Sequence, residues 1–292
     1  MNDTYRLPRG DTLPDPFLPN TQIEIVREVP RGRVQHALFD FDGTISLIRE
    51  GWQQVMIPLM VEVLLETPQH ESEAELTEVV TEFVDRLTGK QTIYQMMKLC
   101  DEISLRGGQP EDPVIYKKLY NDRLNKHIHA RLTDLQSGQV NPVDIMVPGA
   151  LKWLQILEKR GVQCYLASGT DECYVQEEAN LLGIAPYFVS IHGALDDLSK
   201  YSKKMVIEKI IRENKLSGPQ FVVFGDGYIE IEDSKAAGGI AVGVASDEKA
   251  RSGLDAWKRS RLIEAGADLI IADFLCAPTL ENFLFARNIA DL

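Results

Sequence analysis

Apolar and polar positions divide the chain into stretches of different rhythm. Residues 1–33 carry Pro8, Pro14, Pro16, Pro19 and Pro30 with little periodicity, which predicts an extension lying on the surface with one short strand at Ile23–Val26. Val34–Phe39 is a short apolar run that ends in a polar turn at Asp40, the pattern of a buried strand. Between residues 47 and 144 the spacing becomes helical over Gln53–Glu66, Ser72–Leu87, Gln91–Ile103 and Val114–Lys126, with breaks at Pro68, Gly89, Gly107-Gly108 and Pro113. Ser72 with Glu75 three residues later fits a capping box at the start of the second helix. After Pro148 short apolar runs alternate with helical stretches. A helix over Gly149–Lys159 stops at Gly161, and strands are predicted at Val162–Ala167, Tyr187–Ile191, Phe221–Phe224, Ile240–Val244 and Leu269–Ile271. Helices at Cys173–Leu182 and Lys204–Glu213 lie among them.

That alternation predicts an α/β fold with a parallel sheet covered by helices on both faces. The first strand is separated from its partners by the helical block. The economical division is an extension at 1–33, an α/β core at 34–46 and 145–292, and an all-helical domain inserted at 47–144.

Charge narrows the partners. With 31 Lys and Arg against 44 Asp and Glu, the net charge of −13 opposes phosphate backbones and anionic lipid, and no local basic patch offsets it. Neither nucleic acid nor a membrane is therefore an expected partner. The longest apolar run, Val55–Leu65, contains Pro58 and Glu62 and is too short to span a bilayer; the polar N-terminus lacks the apolar segment of a signal peptide. Cys100, Cys164, Cys173 and Cys276 show no paired spacing and read as reduced thiols of a cytoplasmic protein.

Ligands of open α/β sheets sit at the carboxyl ends of the strands. The predicted strands deliver Asp40 and Asp42, then Ser168-Gly169-Thr170, then Gly225-Asp226-Gly227 with Glu230 and Glu232 to that edge. Like charges brought together are costly without a cation, and an all-carboxylate set suits a hard ion such as Mg²⁺ that also binds phosphate. A magnesium-phosphate site is thus expected from the residues themselves.

Four segments in order then resemble the haloacid dehalogenase superfamily. Asp40-Phe41-Asp42-Gly43-Thr44 is similar to its DxDGT nucleophile motif, and Leu166-Ala167-Ser168-Gly169 to the second motif. Lys203 before Val206, Ile207 and Ile210 is similar to the third-motif lysine, and Gly225-Asp226-Gly227-Tyr228-Ile229-Glu230 to the acidic fourth motif. The resemblance implies a Rossmann-like core whose helical insert is a C1-type cap, and a phosphatase of the phosphoglycolate-phosphatase kind. In that scheme Asp40 is the nucleophile that forms an aspartyl-phosphate, and Asp42 is the general acid and then the base. Ser168 and Lys203 hold the phosphoryl oxygens with backbone N–H groups around Phe41 and Gly169. Mg²⁺ is expected on Asp40, the Asp42 backbone carbonyl and Asp226, with Glu230, where many relatives carry the shorter Asp, orienting metal-bound waters. Lys204 is the alternative to Lys203, since spacing does not separate adjacent lysines.

An acid at position 42 points to a phosphate ester, whose alkoxide leaving group needs a proton. The expected substrate is a small phosphorylated metabolite, a sugar phosphate or a phospho-acid. A phosphomutase of the β-phosphoglucomutase type and a non-catalytic phosphate-binding relative are the alternatives; sequence leaves these and the oligomeric state open. Lys90 at the break between two cap helices, and Arg49 where the chain leaves for the cap, are candidate substrate contacts. His127 and His129 cannot share a helix face as a metal pair.

Overall fold

The computed structural model describes residues 16–195 and 200–286. Its sheet has seven strands in the order β1-β7-β6-β5-β2-β3-β4: β1 Glu24–Ile25, β2 His36–Phe39, β3 Gln163–Asp171, β4 Phe188–Ala194, β5 Phe221–Gly225, β6 Ile240–Val244 and β7 Leu269–Ile271. All neighbours run parallel except β1, which pairs antiparallel with β7.

The central strands are apolar throughout because both faces are covered. On β2, Ala37 and Phe39 join one core cluster while Leu38 joins a second on the other face; on β5, Val222 and Phe224 alternate in the same way with Phe221 and Val223. Helices α5 (Ala150–Lys159) and α10 (Ala277–Phe285) supply the first face, where Trp153 stacks on Phe274 and meets Phe224 edge-on. On the opposite face, α7 (Lys203–Asn214) covers the sheet with Val206, Ile207 and Ile210. The chain is an α/β protein with a parallel-dominated, Rossmann-like core and a helical insert.

The insert between β2 and β3 consists of α1 Gln53–Leu65, α2 Glu73–Leu87, α3 Thr92–Leu105 and α4 Pro113–Ser137. The capping box at Ser72 forms, with the Ser72 N–H donating to Glu75 Oε2 at 3.0 Å. Helix α4 runs eleven residues past its predicted end at Lys126, to Ser137, before stopping at Gly138. The polar residues of its second half hide a sparse stripe of Tyr120, Leu124, Ile128 and Leu135, which is buried.

Three further differences from the sequence pattern bear on the site. Strand β3 continues past Ala167 through Asp171, so Ser168, Gly169 and Thr170 are strand residues. Helices α8 (Tyr228–Ala236) and α9 (Ala256–Glu264) follow β5 and β6. The extension does more than lie on the surface: Ile23 is buried in the core, and Glu24 pairs in register with Ile270 while accepting from Arg259 Nε at 2.7 Å. Helix α6 (Glu172–Leu181) completes the elements around the site. No helix among the described residues is long and apolar enough to cross a membrane.

Candidate active site

Asp40 leaves the end of β2 with its N–H donating to the Phe224 carbonyl at 2.9 Å, which ties it to the neighbouring end of β5. Its carboxylate is buried. Oδ1 accepts from its neighbour's N–H, Phe41, at 2.7 Å, and Oδ2 accepts from Lys203 Nζ at 2.7 Å. Lys203 stands at the first turn of α7, behind the Ser202 cap, and also donates to Glu230 Oε2 at 3.0 Å. Of the two adjacent lysines, Lys203 is buried against Asp40 and Lys204 is exposed. Burial pushes the Asp40 carboxyl well above its usual range while Lys203 pulls it back. Burial likewise opposes the charge on Lys203, but Asp40 and Glu230 overcome it and hold the ammonium above its ordinary range.

Asp42 is held from the end of β3. Its Oδ2 accepts from Thr170 Oγ1 at 2.8 Å and from Ser168 Oγ at 3.3 Å, while its buried Oδ1 has no hydrogen-bond partner among the described residues. Burial raises its carboxyl and Arg49, whose Nε lies 4.0 Å from Oδ1, works against that shift. Arg49 is itself buried and paired with Glu178 of α6, Nη2 to Oε1 at 2.6 Å. Burial pushes Glu178 up to about 7 against the pull of Arg49. A carboxyl raised on folding stabilises the native state most at low pH and loses that contribution as pH rises through its native value. Glu178→Gln should therefore flatten the melting temperature of the protein between about pH 4.5 and 7, removing at most about 3 kcal/mol of pH-dependent stability. Identical pH profiles for the two proteins would contradict it.

Asp226 follows β5, and Glu230 lies in the first turn of α8. Glu230 is fully buried: Oε1 accepts from the Gly227 N–H at 2.8 Å and Oε2 from Lys203. A Cβ on Gly225 would lie 2.3 Å from Glu230 Oε1, so the flanking glycine is what lets this carboxylate fold back against the turn. Burial disfavours the Glu230 charge, yet Lys203 outweighs it and the carboxyl titrates below its ordinary range. Gly43 is fixed for two reasons: its φ is +73°, and a Cβ there would lie 2.2 Å from Asp226 Oδ2. One carboxylate oxygen each from Asp40, Asp226 and Glu230 lie within 4.8 Å of one another, with Asp40 and Glu230 buried and Asp226 partly so, an all-oxygen donor set of the kind a hard cation takes. Lys258 of α9 donates to Asp226 Oδ2 at 2.9 Å and to Glu248 Oε1 at 2.6 Å, and it neutralises the outer side of the cluster.

These groups line a cavity of about 110 Å³ whose roof is the cap. The turn at Thr88–Lys90 sits directly on the core: a Cβ on Gly89 would lie 3.2 Å from Gly227 Cα, and one on Gly169 would lie 2.9 Å from the Lys90 carbonyl. Gln91 Nε2 donates to the Tyr201 carbonyl at 2.9 Å, and Arg261 of α9 reaches the carbonyls of Asp85, Arg86 and Thr88. On the other side Lys117 of α4 pairs with Asp171. Asp40, Phe41, Asp42, Ser168, Gly169, Lys203, Asp226 and Glu230 are brought to this region, with the Phe41 N–H donating to Asp40 itself, whereas Glu232, also expected at this edge, is exposed on α8 away from the cavity. Missed from sequence are the bond of Thr170 to Asp42, and Tyr201, whose hydroxyl donates to the Ser168 carbonyl at 2.6 Å, Glu178, Glu248 and Lys258. Thr170 was legible as the hydroxyl beside Ser168; the others come from elements remote in sequence and carried no local signal.

A parallel α/β core whose strand ends gather carboxylates and a lysine under a helical cap has the architecture of a cap-bearing hydrolase. Residues 34–238 match the haloacid dehalogenase-like hydrolase family, and the chain belongs to that family. No curated protein sequence matches it. Among solved structures it is similar to a predicted phosphoglycolate phosphatase from Haemophilus somnus, at 16% identity and a TM-score of 0.57, over 85% of this chain and 98% of that one. A predicted phosphatase from Clostridium acetobutylicum matches at 16% identity and a TM-score of 0.57, over 85% and 99% of the two chains. A β-phosphoglucomutase from Clostridium difficile matches at 15% identity and a TM-score of 0.57, over 86% and 97%. At these identities the likeness is one of fold.

Proposed function

We propose that this hydrolase is a Mg²⁺-dependent phosphatase acting on a small phosphorylated metabolite through an aspartyl-phosphate. The observation that carries the reading is the pairing of two carboxylates in different settings at one strand end: Asp40 on the Lys203 ammonium, and Asp42 on the hydroxyls of Ser168 and Thr170. In the first half-reaction an Asp40 oxygen bonds to phosphorus as the bond to the leaving alkoxide breaks, and Asp42 gives that oxygen its proton. In the second, Asp42 accepts a proton from water as the water oxygen bonds to phosphorus; the aspartyl–phosphate bond breaks, releasing inorganic phosphate and restoring the Asp40 carboxylate. Lys203, Ser168 and the Gly169 N–H hold the equatorial oxygens, whose charge spreads as transfer proceeds.

Asp40 and Asp226 would hold the cation with Glu230 beside them, and the bound ion would offset the repulsion between the Asp40 carboxylate and an anionic phosphate. The cap excludes water and bulky esters, and the small cavity fits a metabolite rather than a macromolecule. The cysteine pattern and net charge agree with a cytoplasmic enzyme.

Release of inorganic phosphate from sugar phosphates, 2-phosphoglycolate and nucleotides, measured with Mg²⁺ and with EDTA, tests this reading. Release that depends on Mg²⁺ is expected, with a preference for small esters. Silence across the panel would overturn it, and isomerisation of a sugar phosphate with a bisphosphate activator would point to the mutase instead.

A further inference from the structure

Arg49 has no part in the steps above, yet its side chain is only 6% exposed and stands beside Asp42. A buried cation is costly unless its surroundings hold it, and Arg49 is held on two sides. Glu178 of α6 accepts from Nη2 at 2.6 Å and from Nε at 3.1 Å, and the Tyr174 ring lies 5.1 Å from the guanidinium carbon. The carbonyls flanking Arg49 belong to the cap's grip instead: Arg131 of α4 donates to Ile48 O at 2.9 Å and to Glu50 O at 2.7 Å. The side chain is thus fastened to the core and its backbone to the cap, at the point where the chain passes from one to the other.

Asp42 needs such a neighbour. Two hydroxyls hold its Oδ2, but its buried Oδ1 has no hydrogen-bond partner among the described residues, and a carboxylate held at one oxygen can swivel about that anchor. The Arg49 charge 4.0 Å from Oδ1 supplies the second constraint. We infer that Arg49 is a positioning residue that couples seating of the cap to the orientation of Asp42. This rests on Asp42 being the acid of the proposed phosphatase. When the cap lifts, Arg131 draws the Arg49 backbone with it and Asp42 loses its second constraint; when the cap seats, the acid is aligned on the leaving oxygen.

Leaving-group dependence tests this, because kcat/KM reports the steps up to departure of the leaving group. An alkoxide needs the proton of Asp42, whereas the acetate of acetyl phosphate leaves without one. The double variant Arg49→Gln/Glu178→Gln removes the pair without stranding a buried charge. Its kcat/KM on 2-phosphoglycolate or glycerol 3-phosphate should fall at least about tenfold further than on acetyl phosphate, relative to the wild-type enzyme. Arg131→Met, which leaves the buried pair intact, should give the same selective loss, and Arg49→Lys should restore part of it. Equal losses on the esters and on acetyl phosphate, or none on either, would show a purely structural or idle Arg49 and overturn the inference. A wild-type enzyme that releases phosphate from no member of the wider panel of phosphorylated metabolites would instead overturn the phosphatase reading, and the inference with it.

Discussion

Replacement of Asp40 by Asn is expected to abolish turnover while leaving the protein folded. The amide has nearly the shape of the carboxylate but cannot form a stable acyl-phosphate, so kcat/KM should fall by at least about a thousandfold. The fold should survive for a reason particular to this site. Asp40 sits among Glu230 and Asp226, both of which disfavour its charge, and burial pushes its carboxyl up in the same direction. Removing that charge relieves repulsion, while the Asn side-chain oxygen can still accept from Lys203 or from the Phe41 N–H. The melting temperature of Asp40→Asn in the absence of metal should therefore equal or exceed that of the wild type, even as activity vanishes. Residual activity within tenfold of wild type would remove Asp40 from the role of nucleophile. A lost fold would mean that the Lys203 pair outweighs the repulsion.

The parts of this protein that were legible in its sequence are those set by local rules. Strands covered on both faces read as unbroken apolar runs, so β2, β5, β6 and β7 stand out, and each predicted strand end brings its polar residues to the same edge of the sheet. Capping chemistry at Ser72 and the glycine stop at Gly161 are equally local. What escaped depends on partners far along the chain. Strand β3 continues through Ser168 and Thr170 because Ala167 and Asp171 pair with β4, which the polar character of those residues conceals. Helix α4 keeps its full length through a sparse apolar stripe against the other cap helices. The short strand expected at Ile23–Val26 forms as β1, but its place escaped: it pairs antiparallel with the edge strand β7, a partner far along the chain that two residues cannot specify.

The site divides along the same line. Asp40, Asp42, Ser168, Lys203 and Asp226 stand at strand and helix ends where spacing exposes them. Lys258, Glu248, Glu178 and Tyr201 are electrostatic and hydrogen-bonding partners supplied by other elements, chosen by the charges they face rather than by any pattern of their own. Asp40 after β2, Asp226 after β5, Glu230 of α8 and Glu248 after β6 come together at this end of the sheet, and Lys203 of α7 and Lys258 of α9 meet them. Only the fold makes that balance visible, and one of its two cations can be removed to test it.

Lys203→Met should have the largest effect on stability of any substitution at the site. The ammonium is buried and donates to two buried carboxylates, at 2.7 Å to Asp40 and 3.0 Å to Glu230, so its loss strands both in a medium that disfavours charge. Breaking a buried pair in this way costs about 3–5 kcal/mol, which lowers the melting temperature of a chain of this size by at least about 5 °C. The adjacent Lys204→Met is the control: Lys204 is exposed, and its replacement should change stability by no more than about 0.5 kcal/mol. Two further readouts identify the cause as charge rather than packing. In the variant the stranded carboxyls titrate above their unfolded range, so protonation favours the native state and the deficit should shrink as pH falls from about 7 to 5. Added Mg²⁺ should raise the melting temperature of the variant more than that of the wild type, because a cation bound among Asp40, Asp226 and Glu230 replaces the missing charge. A deficit that is independent of both pH and Mg²⁺ would mean that Lys203 acts by filling space, and the charge balance argued for this site would be wrong.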